Sequence, residues 1–377
     1  MEHDRMPKIA ENPRACLRTG LALFLLCLAC FSLTLSHRYY GYEWATLEKA
    51  REILFKPLSD IVTPAGLMDV LAYVPAEIAG SVLFSPMNYY ARDFFSLHTL
   101  PFMSALICLI FYYLARDLYQ SSRIAVHLAL ILALATMICP YSKTGMEIQH
   151  SLWALFALWM LIRWRLSGRE LFLVAAGAGA GLLTLTKVYG FVSSGVFGLW
   201  LLLDLILSRR ERRGFSFRLL LLFTVPLVLC ASLMFVQNRL LYGSWLLGAR
   251  YDAGYEARRI PVWQALWGFL FSSGKSIFIY NPPLILAVLM APHFRRRFPR
   301  PAGLIVMLIL SGLVFHSLLW IWTDETWGPR KLHYLIAPAL LPVGILLESS
   351  WSRREIRRRL LTAAVVVGVY VQILGVS

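Results

Sequence analysis

A chain of 377 residues that is 58% hydrophobic, with a mean hydropathy of +0.62, lies outside the range of water-soluble domains. Its net charge of +16 raises the question of nucleic acid, but the basic residues sit at the ends of apolar runs, where they act as topology signals and lipid-headgroup contacts. The runs are about 16 to 22 residues long, enough to cross a ~30 Å hydrocarbon layer as helices, and they lack the alternation of barrel strands. The fold class expected is all-α, a polytopic transmembrane helical bundle, with no nucleic-acid partner.

In chain order the predicted spans are 17–35, 99–115, 124–139, 152–162, 171–186, 189–207, 219–236, 276–291, 302–322, 332–347 and 360–374, about eleven in all. The fourth run is short, and its helix is expected to extend from near Gln149 to Trp164. With a cytoplasmic N-terminus, one side collects 23 basic and 9 acidic residues, leaving 14 basic and 12 acidic on the other. The excess positive charge then faces the cytoplasm, as inner loops require. The apolar stretch 66–86 resembles a further span. Counting it as one would turn every later arginine cluster outward, and it contains Pro75, Asp69 and Glu77. Residues 37–98 are therefore read as one large first extracytoplasmic loop carrying interfacial helices. The whole of 1–377 reads as a single transmembrane domain without a separate soluble domain. Six scattered cysteines without metal spacing read as small buried hydrophobes, so neither a disulfide nor a zinc site is expected.

The outer side keeps a short set of unusual residues. Glu43 follows the first span among Tyr39, Tyr40, Tyr42 and Trp44, surroundings that raise a carboxylate's pKa and suit a general base. Lys143 and Glu147 lie in the turn 140–150, Lys187 lies between two runs with almost no polar linker, and Lys275 and Tyr280 lie in the turn 272–283. The stretch Trp320-Ile-Trp-Thr-Asp-Glu-Thr-Trp-Gly-Pro-Arg-Lys-Leu-His-Tyr334 supplies Asp324, Glu325, Trp327, Arg330 and Lys331. Cations at one membrane depth suit a phosphate, with arginine adding bidentate geometry. Aromatic faces suit sugar rings, and an apolar groove between spans suits a polyprenyl tail.

Each residue also has a plainer reading. Lys187 can snorkel to headgroups, and Lys143 with Glu147 can form an i,i+4 helical pair. The tryptophans can be belt residues, His150, His316 and His333 isolated structural histidines, Tyr280-Asn-Pro-Pro283 a helix break, and Glu43 a loop acid paired with Arg38.

The order of these landmarks resembles the membrane-embedded C-type glycosyltransferases, the superfamily of the protein mannosyltransferases and the bacterial lipid A aminoarabinose transferase. The resemblance rests on the first-loop acid Glu43, Tyr90-Ala-Arg-Asp-Phe-Phe-Ser96 with Tyr113-Leu-Ala-Arg-Asp-Leu118, and Thr184-Leu-Thr-Lys-Val-Tyr-Gly190. It also rests on Asn238-Arg with Tyr242-Gly-Ser244, Gly274-Lys-Ser-Ile-Phe-Ile-Tyr-Asn-Pro-Pro283 and Trp327-Gly-Pro-Arg-Lys-Leu332. It implies inverting transfer of a sugar from a polyprenyl-phosphate donor to a glycan, lipid or protein acceptor on the extracytoplasmic face of a bacterial inner membrane. Glu43 is then the base, while Lys143, Lys187, Lys275, Arg330, Lys331, Trp327, Asp324, Glu325 and Tyr280 bind phosphate or sugar. Where relatives carry paired first-loop acids, this chain has Tyr42-Glu43, so no cofactor is assigned and a divalent metal stays an open question. A transporter or flippase for lipid-linked saccharide, or a non-catalytic binder of it, is the alternative; the apolar midplane of the spans favours the enzyme.

Overall fold

The computed structural model describes residues 13–35, 47–48, 50–51, 67–83, 93, 95–143, 147–187, 189–209, 217–242, 245, 261–318, 326–348 and 355–376. Glu43, Asp324 and Glu325 lie outside the described residues, as do Arg38, Trp320 and Trp322. Among the described residues there is helix and no strand. The helices are α1 (Pro13–Leu33), α2 (Leu67–Leu83), α3 (Thr99–Tyr119), α4 (Ser122–Ala135), α5 (Ile148–Ser167), α6 (Leu171–Thr186) and α7 (Gly190–Arg209). They continue with α8 (Phe217–Tyr242), α9 (Val262–Phe271), α10 (Pro283–Arg297), α11 (Pro299–Leu318), α12 (His333–Leu340) and α13 (Glu355–Val376).

Each predicted run is mostly helical over its described residues, with 124–139 and 276–291 interrupted, and seven helices among the described residues are long and apolar enough to cross a membrane. The chain is a multi-pass membrane protein. The run 276–291 is broken: a turn Ile277–Tyr280, capped by the Ser276 hydroxyl, ends at Asn281, and Pro283 then opens α10. The Asn281 side chain makes good the break by accepting from the Met137 amide (2.9 Å) and donating to the Ile277 carbonyl (3.0 Å).

The ends of α1 and α3 decide how the first loop runs. Cys16 approaches Ser122, Gly20 lies against Tyr113, and Phe24 meets the Phe102 ring at 5.5 Å, so α1 and α3 are antiparallel neighbours. The chain between them therefore starts and finishes at one end of the bundle. Within it α2 carries Pro75 and the fully buried Glu77, whose charge Arg51 satisfies at 2.9 Å while also reaching Asp93. Ser96 donates to the same carboxylate.

Helix α6 packs closely against both α5 and α8 because its middle lacks large side chains: Ala175-Ala-Gly-Ala-Gly-Ala-Gly181. A Cβ built at Gly177 would stand 2.0 Å from the Phe223 carbonyl oxygen of α8. Gly177→Ala is therefore expected to force the two helices apart and cost about 1–3 kcal/mol. The check is the unfolding midpoint in detergent against Gly195→Ala, whose Cβ meets nothing within 4 Å and which should leave the midpoint unchanged or slightly raised.

The two ends of the bundle differ in how they handle charge. At one end the buried Asp204 of α7 pairs with Arg165 of α5 (3.3 Å) and Arg300 of α11 (3.5 Å), Asp117 pairs with Arg163 (3.4 Å), and Glu348 pairs with Arg297. At the other end lie Lys143, Glu147, Lys187, Lys275 and Arg330. Residues assigned to one side of the membrane from lysine and arginine counts thus meet at one end of the molecule.

Candidate functional site

The site is built around a carboxylate. Glu147 stands at the N-cap of α5, where the unpaired amides of a helix start favour negative charge, and it is 3% exposed. Lys187 caps the far end of α6 in an extended conformation, and the turn closes as Gly190 N–H donates to the Lys187 carbonyl at 2.8 Å. That turn aims the Lys187 ammonium at Glu147 Oε1, at 2.8 Å, and the Tyr189 hydroxyl at Oε2. Arg330 arrives from a third direction, on a single 3-10 turn after the Gly328-Pro329 corner, with Nε 3.8 Å from the same Oε1.

Burial by itself would raise the Glu147 carboxyl. The charges of Lys187 and Arg330, with the hydrogen bonds from Lys187 and Tyr189, overcome it and hold the group below the ordinary carboxylate value. Burial and the neighbouring carboxylate push the Tyr189 phenol well up, so it stays a donor.

Beneath it lies a ring cluster. His150 packs on Tyr189 at 4.6 Å and on Tyr334 at 4.9 Å, and His316 meets Tyr189 at 4.9 Å. The Nδ1 of His333 lies 2.6 Å from the Ser151 hydroxyl, and that of His150 lies 3.2 Å from the Thr186 hydroxyl.

The Gly-Pro corner is fixed from below. Lys275, 7% exposed, donates to the carbonyls of Thr326 (2.9 Å) and Gly328 (3.0 Å), and Tyr141 donates to the Trp327 carbonyl (2.9 Å). Gly328 has φ +61°, and a Cβ there would strike the Tyr280 ring at 2.7 Å, so only glycine fits this corner. Tyr280 and Trp327 meet edge to face at 5.1 Å.

Of the residues singled out in the sequence, Lys187 and Arg330 are brought together on one carboxylate, and Tyr280 and Trp327 on each other. Lys275 braces the corner, Lys331 is half-buried beside Arg330, and Lys143 donates to the Val376 carbonyl at the end of α13. The helical pair between Lys143 and Glu147 does not form, because Glu147 turns to Lys187 and Arg330 instead. The three histidines are not isolated as read from the sequence; they gather beneath one charge. Tyr189 is the functional candidate the sequence reading missed, and Glu147, noted there in the turn 140–150 as a possible partner of Lys143, was given no binding role. The spacing of Lys187 and Tyr189 in one tight turn was the available signal. Among the described residues no three His, Cys, Asp or Glu side chains converge on a metal-sized point.

No family model and no curated protein matches the sequence. Solved structures do match in three dimensions. ArnT from Cupriavidus metallidurans bound to undecaprenyl phosphate superposes over 92% of this chain with TM-score 0.61 and 18% identity. The apo form of that protein superposes over 96% of the chain with TM-score 0.61 and 15% identity. The archaeal oligosaccharyltransferase AglB from Archaeoglobus fulgidus, in complex with an inhibitory peptide and a dolichol-phosphate, matches over 95% with TM-score 0.55 and 12% identity. The chain has the GT-C fold. It spans 63% of the lipid-bound ArnT chain, 76% of the apo chain and 55% of AglB. The GT-C resemblance read from Glu43 to Leu332 thus extends to the path of the backbone over nearly the whole chain. Glu147, Lys187 and Arg330 occupy one end of that GT-C bundle.

Proposed function

We propose that the protein is an integral-membrane glycosyltransferase that moves a sugar from a polyprenyl-phosphate-linked donor to an acceptor on the extracytoplasmic face of a bacterial inner membrane, with inversion. The observation that carries this reading is the convergence of Lys187 and Arg330, from two separate turns, on one buried oxyanion at one depth of the bundle. Two cations brought from separate turns onto one oxyanion suit a phosphate leaving group, whose charge grows as the anomeric bond breaks.

In the reaction, Glu43 takes the proton of the acceptor hydroxyl. That oxygen attacks the anomeric carbon from the face opposite the phosphate, the carbon–oxygen bond to phosphate breaks, and polyprenyl phosphate leaves with the electron pair toward Lys187 and Arg330. Trp327 and Tyr280 offer aromatic faces to the sugar, Lys331 adds a cation beside Arg330, and Lys275 holds the Gly328 corner in place. Asp324 and Glu325, outside the described residues, keep the sugar-binding role expected of them, and Lys143 has its contact at the Val376 carbonyl. Both GT-C neighbours bound to a lipid carrier hold a polyprenyl or dolichyl phosphate, which supports the donor class.

The test is reconstitution in liposomes with a radiolabelled polyprenyl-phosphate sugar and an envelope-derived acceptor fraction. Label entering the acceptor in step with release of polyprenyl phosphate is the expected result. Labelled donor crossing the bilayer with no product formed would replace the enzyme by a flippase. Donor retention with neither product nor flux would replace it by a non-catalytic binder.

A further inference from the structure

A groove separate from the Glu147 cluster runs along the bundle, from Leu270, Ile277 and Phe278 beside the Lys275 turn to arginines at the other end. Helices α10 and α11 are antiparallel neighbours joined at Phe298, and between them runs a cavity of about 820 Å³. One stripe of α10 lines it: Leu284, Ala287, Val288, Ala291, Pro292 and Arg295, positions three or four apart that share a helical face. A facing stripe of α11, including Ala302, Ile305, Val306 and Ile309, forms the other wall, and α12 supplies the floor through Leu335 and Ala339. The hollow exists because its walls are small: Ala287, Ala291, Ala302 and Ala339 stand where larger residues would close it. Val288 and Val306 are exposed, so the groove opens sideways toward the surrounding lipid.

Among the described residues its charged lining is at one mouth, Arg295 and Arg296. Four arginines cluster there, and the fold consumes two of them. Arg297 pairs with Glu348 and Arg300 with Asp204, whereas Arg295 and Arg296 have no acidic partner among the described residues. These two exposed residues stand over an apolar slot, at the end away from Lys187 and Arg330.

We propose that this groove is a binding site for an anionic diacyl phospholipid of the leaflet at the arginine end, its phosphate held by Arg295 and Arg296 and an acyl chain lying between α10 and α11. Two features select that occupant. The apolar walls require a chain, and the two guanidiniums favour a phosphate with net negative charge over a zwitterionic head. A polyprenyl-phosphate donor held at Lys187 carries its charge at the other end and leaves this pair without an anion.

The test is native mass spectrometry of the purified full chain, exchanged into equimolar phosphatidylglycerol and phosphatidylcholine. Wild type should retain one phosphatidylglycerol, preferred roughly tenfold or more. Arg295→Gln/Arg296→Gln should lose that preference while still binding either lipid weakly. Ala302→Phe should exclude both lipids, and circular dichroism of each variant reports that the helices persist. Equal retention of the two lipids by wild type, or a preference that survives the double substitution in a folded protein, would overturn the proposal. So would displacement of phosphatidylglycerol by equimolar polyprenyl phosphate, which would make the groove a seat for the donor tail. Should the variants lose their helices, wild type carrying Arg295→Lys/Arg296→Lys decides the matter: retained preference supports the site, and lost preference with intact helices overturns it.

Discussion

Glu43→Gln is expected to abolish sugar transfer, with a loss of roughly 10² to 10⁴-fold in the rate measured with saturating polyprenyl-phosphate sugar. Glutamine keeps the shape and the hydrogen bonding of the side chain but cannot take a proton. A hydroxyl acceptor is a poor nucleophile until that proton leaves, so the effect belongs in the rate of the chemical step. Donor binding, which the proposed mechanism assigns to cations elsewhere, should be unchanged in the same membranes. Undiminished transfer by a normally expressed Glu43→Gln protein would remove Glu43 from the mechanism. A loss of donor binding would give it a different role.

The largest stability effect is expected from Lys187→Met. Glu147 is 3% exposed, and the substitution leaves its carboxylate with the Tyr189 hydroxyl and, among the described residues, Arg330 at 3.8 Å as its charged partner. Removing one partner of a buried pair strands the other charge at a cost of about 3–5 kcal/mol. The double variant Lys187→Met/Glu147→Gln should recover most of that loss, because it removes the stranded charge as well. Unfolding midpoints in detergent test the pair of statements, and a double variant no better than the single one would mean that Lys187 acts through packing. A pH series gives an independent reading. Glu147 is held below its ordinary value of 4.5, so the folded protein binds that proton more weakly than the unfolded chain does. Its contribution is complete above about pH 4.5 and disappears as pH falls through the folded value. Glu147→Gln should lack that segment of the acid transition.

The sequence disclosed the bundle because hydrocarbon imposes strict demands: long apolar helices and arginines kept to one side. Which residues share an end of the bundle was legible for the same reason: Cys16 meets Ser122 and Lys143 meets Val376, pairs that the charge count had put on common sides. Partner choice was not. Glu147 is four residues from Lys143 along the chain, yet it bonds Lys187, forty positions away, because α5 and α6 pack through glycines that no local rule foresees. Lys275 looked like an anion ligand and instead holds two carbonyls, since a tight glycine corner leaves its oxygens without helical partners. Likewise, histidines at 150, 316 and 333 become neighbours only when three helices close on one another.

The bundle gathers charge at both ends, but it does so by different means. Asp204 of α7 meets Arg165 of α5 and Arg300 of α11, whereas Glu147 meets Lys187 at the end of α6 and Arg330 on its 3-10 turn. The first set joins three helices through side chains that the helices themselves carry. The second leans on the shape of short turns, so a change at the Gly328 corner reaches it without altering a helix.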